Sequence, residues 1–300
     1  MKNYIDELYH IKNLSIKENA PLKDYTTMQI GGPADLFLTP KSEKALIKLT
    51  KLIKNINKPY FVLGKGSNVI VGDKGYRGII IYTGSFNKIT FKNNNIIAQS
   101  GSTLKELANI AQKHSLAGME FASGIPGSLG GAIYMNAGAY GGEMNDVIKK
   151  VSAYDQNGNK KVMQKVELNL SYRDSIFQKK ECIIFEALLE LQKGNKDKIS
   201  AKMNKLNRKR KNKQPLEYPS AGSSFKRPAN YYTGPLIEKA NMKGYQLGGA
   251  QVSEKHTGFI INKDNATAKD IVNLIQKIQK EVYEISGVML KPEYKFLGEF

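Results

Sequence analysis

A chain of 300 residues is longer than one hydrophobic core usually serves, so two or three packed units are expected. With 41% hydrophobic and 24% charged residues, the composition excludes the disordered class and allows a sizeable core. The formal charge of +19 invites a nucleic-acid reading, but the Lys is scattered among Asn and Ile without a recognition module of interleaved aromatics, so no nucleic-acid partner is expected. A positive field of this kind still attracts small anions such as nucleotide diphosphates. The single cysteine, Cys182, lies beside the apolar run Ile183-Ile184-Phe185 and reads as a buried structural thiol, with no metal cluster to be built around it. Met1 to Leu14 is polar, unlike a signal peptide, and no run reaches the roughly 18 apolar residues of a membrane helix. A cytoplasmic protein without membrane insertion is the expectation.

Along the chain, residues 1–24 read as a short polar helix leading into an irregular segment. A turn at Gly31-Gly32-Pro33 precedes the strand Asp35-Leu36-Phe37-Leu38. Ser42 suits the cap of a helix whose apolar positions Ala45, Leu46, Leu49, Leu52, Ile53 and Ile56 follow three-four spacing. The strand Tyr60-Phe61-Val62-Leu63 runs straight into Gly64-Lys65-Gly66-Ser67-Asn68, and short β-branched runs follow at 69–71, 79–82, 88–91 and 96–99. Thr103 and Glu106 stand at capping-box spacing before a second helix. After the Gly-rich segment Ser123 to Gly142, strands are expected around 151–154 and 182–191. The polar Gly194-Asn195-Lys196-Asp197 marks a domain boundary, followed by a basic helix and Gln214-Pro215. The last helix opens at Thr267 and Asp270, carries Ile271, Leu274, Ile275, Ile278, Val282 and Ile285, and stops at Gly287. The fold class is α+β.

Two segments suggest chemistry. In Gly64-Lys65-Gly66-Ser67-Asn68, glycines let successive N–H groups converge on a phosphate oxygen, and Ser67 and Asn68 add side-chain hydrogen bonds. The dinucleotide fingerprint is not met: its third glycine is missing and a strand-like Val-Ile-Val follows, so a hairpin turn is the competing reading. Ser123-Gly124-Ile125-Pro126-Gly127-Ser128-Leu129-Gly130-Gly131-Ala132 carries Gly at a density that is costly to order, tolerated where backbone must lie against something flat or charged.

Together GKGSN and SGIPGSLGGAIYMNAGAYGGE resemble the FAD site of the MurB family, the UDP-N-acetylenolpyruvoylglucosamine reductases. TTMQIGGPADLF, SYRDSIF, YPSAGSSFKRP and LKPEYKFLGE resemble further motifs of that family in its order, from about residue 20 to the C-terminus. The resemblance implies a flavin fold of the vanillyl-alcohol-oxidase type, with FAD-binding subdomains at 1–85 (lead-in 1–24) and 86–193 and a smaller α+β substrate domain at 194–300. It implies tightly bound FAD contacted by Gly64, Lys65, Gly66, Ser67 and Asn68, and by Ser123, Gly124, Gly127, Ser128, Gly130, Gly131 and Ala132. NADPH is the implied reductant, and a monomer is expected.

By the same resemblance Ser223 is the proton donor, with Ser224 as the neighbouring hydroxyl that competes for the assignment. Arg173 carries over as the clamp for charge pushed onto the substrate carboxylate, a task its rigid, permanently charged fork suits. Glu293 has two roles open to it, orienting that carboxyl group or joining a proton relay. Tyr172, Arg210, Lys226 and Arg227 carry over as substrate contacts, Arg210 at the UDP diphosphate; some family members have Asn in place of Arg227. The compact stretch Tyr245 to Ile261 lacks the Tyr-bearing loop of the longer enzyme type, so the chain resembles the shorter one. The implied reaction moves a hydride from flavin N5 to the alkene methylene and a proton from Ser223 to the adjacent carbon, giving UDP-N-acetylmuramate. Two other readings compete: an oxidase or dehydrogenase of the same superfamily acting on an alcohol or lactone, against which YPSAGSSFKRP and LKPEYKFLGE argue, and a colourless nucleic-acid-binding module.

Overall fold

The computed structural model describes residues 4–56 and 58–300, so residues 1–3 of the expected N-terminal helix lie outside the described residues. Local signals in the sequence set most helix starts. Ser42 Oγ accepts the Ala45 N–H at 3.2 Å and opens a helix over Glu43–Asn55 that buries Ala45, Leu46, Leu49 and Ile53. Thr103 and Glu106 exchange bonds, Glu106 N–H to Thr103 Oγ1 at 3.1 Å and Thr103 N–H to Glu106 Oε2 at 2.9 Å, at the head of Leu104–Lys113. Thr267 and Asp270 do the same for Ala268–Ser286, and Gly287 ends that helix at φ +67°.

The chain divides into two compact units. The first comprises Met1–Glu18, Leu36–Lys65 and Gly78–Lys209; the second comprises Asn19–Asp35, Gly66–Arg77 and Arg210–Phe300. The first unit has two cores. One gathers Leu46, Leu49, Ile53, Ile79 and Ile81 with Tyr154 and Phe185; the other gathers Leu104, Leu107, Leu129, Ile133, Val151 and Leu189. Between them runs an antiparallel five-stranded sheet, in the order Lys160–Gln164, Ile148–Asp155, Cys182–Glu190, Asn95–Gln99 and Ile89–Lys92. Alternation along Cys182–Glu190 sends Ile183 and Phe185 to the first core and Ile184 to the second. Pairing shifts by one residue between Ser152 and Ala153, so beyond this bulge it is Ala187 and Leu189 that face the second core. A four-stranded sheet joins Leu14–Pro21, Pro33–Pro40, Tyr76–Tyr82 and Tyr60–Leu63 in that order, the last two parallel with Tyr60 opposite Ile79.

The second unit is built on an antiparallel sheet ordered Ser220–Ser223, Phe259–Asn262, Ala250–Val252 and Gln246–Leu247. The helices Thr233–Lys239 and Ala268–Ser286 bury Leu236, Ile237, Ile271, Leu274 and Ile278 in its core with Phe225 and Ile260. Val69–Val71 pairs in parallel with the last strand, Lys295–Leu297. The α+β class expected from the element pattern is the class observed.

Three local expectations differ from what forms. Among the described residues of the lead-in, Tyr4–Tyr9 is an α-helix, Leu22–Tyr25 forms a 3-10 turn, and Leu14–Pro21 is a strand rather than an irregular segment. It is an edge strand with Lys17, Glu18 and Asn19 exposed, so it lacks the apolar alternation that marks a half-buried strand. The Gly-rich segment contains a helix, Leu129–Tyr134, which buries Leu129, Ala132 and Ile133. Cys182 is half-buried instead of buried; desolvation lifts its thiol above the ordinary value, so little reactive thiolate is available. Among the described residues no helix is long and apolar enough to cross a membrane.

Asp270 Oδ2 accepts the N–H groups of Thr267 at 2.9 Å and of Gly249 at 3.2 Å. Burial opposes its ionisation, but these amides and the Thr267 hydroxyl outweigh it and hold the carboxyl below its usual range. Asp270→Ala should lower stability in urea unfolding by about 1–2 kcal/mol, as for loss of a helix cap. Because the folded-state pKa is depressed, the difference between the two proteins should be full at neutral pH. It should fade as pH falls below about 4 and through the folded-state value.

Candidate active site

In the first unit, the Tyr60–Leu63 strand delivers Gly64 against Ser128. A Cβ at Gly64 would stand 2.3 Å from Ser128 Oγ, so only glycine fits while that hydroxyl keeps its place. Ser128 sits at the head of Leu129–Tyr134 yet makes no capping bond there, and its buried hydroxyl has no partner. Beside it, the Leu129 N–H donates to Ser102 O and the Gly130 N–H to Ser100 O, both at 2.8 Å. A Cβ at Gly130 would meet the Ser100 Cβ at 2.9 Å. The hydroxyls of Ser100 and Ser102 are likewise buried and unpartnered. The result is a glycine shelf beside three orphan hydroxyls, each costing about 1–3 kcal/mol unless something polar meets it. The open hydrogen-bonding capacity there is in side chains, because the amides of Leu129 and Gly130 are already used. Ser123 differs: its buried Oγ is 2.9 Å from Glu120 O and 3.1 Å from Asn207 Oδ1, bonds that hold the segment in place.

Arg173, also in the first unit, occupies a tight turn closed by the Ser171–Asp174 bridge, with φ +57°. That backbone costs a non-glycine residue about 1–3 kcal/mol and persists because its surroundings enforce it. Asn136 Nδ2 donates to Ser171 O at 3.0 Å and Gln178 Nε2 to Arg173 O at 3.0 Å, pinning the turn from both sides. The guanidinium lies 5.1 Å from the ring centre of Tyr172, which is exposed, and reaches Gly138 O at 3.4 Å. Asp174 pairs with Lys179 at 3.4 Å.

In the second unit three distant stretches meet. Gly66, at φ +62°, passes so close to Tyr25 that a Cβ would be 2.1 Å from its carbonyl oxygen. Asn68 Nδ2 donates to Glu293 O at 3.2 Å and Asn68 O accepts the Lys295 N–H at 2.9 Å, so this side chain anchors the C-terminal segment. On the other side of that segment, the Glu293 N–H donates to Ser224 O and the Lys226 N–H to Lys291 O. Backbone pairing thus brings Glu293 alongside Ser223 and Ser224. The two serines have opposite environments. Ser224 is 1% exposed and its hydroxyl is used by Ile260 N and Tyr294 Oη, whereas Ser223 is half-buried and follows Gly222 at φ +81°. In the basic run at 208–213 only Arg210 is buried; its Nη1 reaches Gln214 Oε1 at 3.3 Å while the neighbouring Lys209 and Lys211 are exposed. Lys226 is half-buried, and the exposed Arg227 lies 4.0 Å over the Tyr232 ring.

The structure therefore joins Ser223 with Glu293 and Asn68 in the second unit, and Gly64 with Ser128 and Gly130 in the first, where Arg173 also lies. Sequence reasoning missed Ser100, Ser102 and Tyr294. The first two stand in a Ser-Gly-Ser-Thr turn ahead of a capping box, a small-polar cluster that could have flagged them.

An FAD binding domain model matches residues 34–162, and the model of the UDP-N-acetylenolpyruvoylglucosamine reductase C-terminal domain matches residues 214–297. The UDP-N-acetylenolpyruvoylglucosamine reductase of Caldanaerobacter subterraneus subsp. tengcongensis is 50% identical over 98% of this chain and 98% of its own length. The chain belongs to the UDP-N-acetylenolpyruvoylglucosamine reductase family. Its relative from Clostridium perfringens strain 13 is 46% identical over 98% of this chain and 96% of its own. The crystal structure of MurB from Thermus caldophilus superposes with a TM-score of 0.82 at 33% identity, covering 95% of this chain and 98% of that one.

The FAD-domain match and the shelf agree on physical grounds. A flat, polar cofactor needs backbone that approaches without Cβ atoms and donors that are not spent internally. Gly64, Gly130 and the hydroxyls of Ser100, Ser102 and Ser128 supply both. Gly64→Ala forces Ser128 Oγ away, and Ser128→Ala removes it. Each should weaken FAD retention by about 10- to 100-fold, the worth of a hydrogen bond to a charged group. The ratio of flavin to protein absorbance after dialysis measures this, with far-UV circular dichroism unchanged.

Proposed function

We propose that this chain reduces UDP-N-acetylenolpyruvoylglucosamine to UDP-N-acetylmuramate in peptidoglycan synthesis, using FAD and NADPH. The observation that carries the reading is near-complete alignment with reductases of that name, joined to a second unit in which the Glu293 N–H pairs with the carbonyl of Ser224, the chain neighbour of the half-buried Ser223. In this reading residues 1–85 and 86–193 are the two FAD-binding subdomains and residues 194–300 the substrate domain, and the enzyme acts as a monomer in the cytoplasm.

FAD held in the first unit and reduced by NADPH would supply the hydride that one carbon of the enol ether needs. Ser223 Oγ gives its proton to the other carbon and regains one from solvent, so that one hydride and one proton add across the double bond. Arg173 stabilises the charge that develops on the substrate carboxylate, and its enforced left-handed backbone fixes where the guanidinium stands. Glu293 orients that carboxyl group or feeds the proton path. Arg210, with Lys226 and Arg227, meets the diphosphate. Gly66, Ser67 and Asn68, continuous with Gly64 and Lys65, complete the cofactor contacts with Ser123, Gly124, Gly127, Gly131 and Ala132, and Tyr172 contacts the sugar nucleotide.

The purified protein should be yellow and release FAD on denaturation. It should oxidise NADPH in proportion to added enolpyruvyl UDP-sugar; activity with oxygen alone would instead indicate an oxidase. Ser223→Ala should cut turnover by roughly 10²–10⁴-fold, the usual range for a general acid, while reduction of FAD by NADPH survives. Near-normal turnover in that variant would refute the role of Ser223.

A further inference from the structure

Ser224 and Tyr294 form a directed chain of hydrogen bonds inside the second unit. The Ile260 N–H donates to Ser224 Oγ at 2.9 Å, and Ser224 Oγ lies 2.8 Å from Tyr294 Oη. Tyr294 Oη in turn donates to Gly222 O at 3.2 Å. With the phenol proton on Gly222, the shared contact has one polarity: the Ser224 hydroxyl donates to Tyr294. Both hydroxyls are buried, and each both donates and accepts. The end of the chain is informative. Gly222 is the residue at φ +81°, and the pairing of Ser220–Ser223 with Phe259–Asn262 is irregular between Ser220 and Ser223. The turn that presents Ser223 is therefore held by a bond to the carbonyl just before it.

A phenylalanine would fill the same space. Burying a phenol costs desolvation that only its bonds offset, so the hydroxyl of Tyr294 has a task beyond packing. The residue is itself fixed on both sides, because its neighbour Glu293 donates to Ser224 O and accepts from Asn68 Nδ2. The geometry points to Tyr294 as a positioning residue that, through Gly222 and with Ser224, fixes the orientation from which Ser223 donates its proton. This inference rests on the assignment of Ser223 as the acid. It also makes Ser224 part of the support, since its proton is committed to the phenol.

The test is a double-mutant cycle on the FAD-loaded enzyme, following each half-reaction by anaerobic stopped flow. Tyr294→Phe should leave FAD reduction by NADPH and the KM for enolpyruvyl UDP-sugar unchanged. It should slow reoxidation by that substrate about tenfold, the worth of one hydrogen bond. In a Ser223→Ala background, Tyr294→Phe should produce no further loss, because the group it positions is gone. Equal slowing in both backgrounds would overturn the proposal, as would unchanged reoxidation or equal loss in both half-reactions. If Tyr294→Phe does not fold, Ser224→Ala takes its place, keeping the phenol and its bond to Gly222 O but removing the hydroxyl that donates to it. It should slow reoxidation by less than about tenfold, with no further loss in the Ser223→Ala background; equal slowing in both backgrounds overturns the proposal. Wild-type reoxidation in Ser223→Ala alone would overturn the acid assignment itself, an outcome visible without the tyrosine variant.

Discussion

The last residues of the chain are laid between two stretches far from them in sequence. Lys291 and Glu293 pair with Ser224 and Lys226 on one side, and Lys295 to Leu297 pair with Asn68 to Val71 on the other. Without that double pairing, Glu293 and Tyr294 have no fixed relation to Ser223, and the loop from Gly66 loses the partner of Asn68. Every bond involved is a backbone or amide bond of ordinary length. The precision comes from how many of them must hold together, not from any one strong contact.

The first unit solves a different problem. Its shelf requires backbone to approach side chain more closely than any Cβ allows, at Gly64 against Ser128 and at Gly130 against Ser100. A chain pays for such glycines in entropy on folding. The same place leaves three buried hydroxyls without internal partners. Both are costs in the protein by itself, and both become assets when a polar, planar ligand occupies the shelf. In the second unit, by contrast, the buried hydroxyls of Ser224 and Tyr294 are fully paired within the chain. Open hydroxyls accompany the glycine shelf, and closed ones tie down the turn that carries Ser223.

What the sequence made legible follows the same division between local and distant causes. The helix starts at Ser42, Thr103 and Thr267 and the stop at Gly287 depend on neighbours within four residues, and they appear where the residue types predict. The edge strand Leu14–Pro21 owes its existence to a partner strand, and nothing in Lys17-Glu18-Asn19 announces it. The short helix Leu129–Tyr134 runs against the poor helix propensity of two glycines, and the burial of Leu129 and Ile133 overrides it. The candidate site residues come from resemblance rather than from any local pattern. Ser223 and Ser224 are indistinguishable as letters; only their burial and partners, set by Ile260 and Tyr294 from distant parts of the chain, separate them.

The charge balance supports a small anionic substrate. Of 46 basic and 27 acidic side chains, several acids are spent on structure. Asp73 accepts the Ala268 and Lys269 amides, Asp270 those of Thr267 and Gly249, and Glu120 the Gly118 amide as well as Lys202. Carboxylates committed to backbone amides at helix heads offset partial charges of the fold itself and neutralise few lysines. The excess cations are left on the surface, where salt screens each over about 8–10 Å. A diffuse field of that kind draws a nucleotide diphosphate inward without specifying it. Of the 208–213 run the fold withdraws one cation from solvent, Arg210, whose charge screening ions reach least.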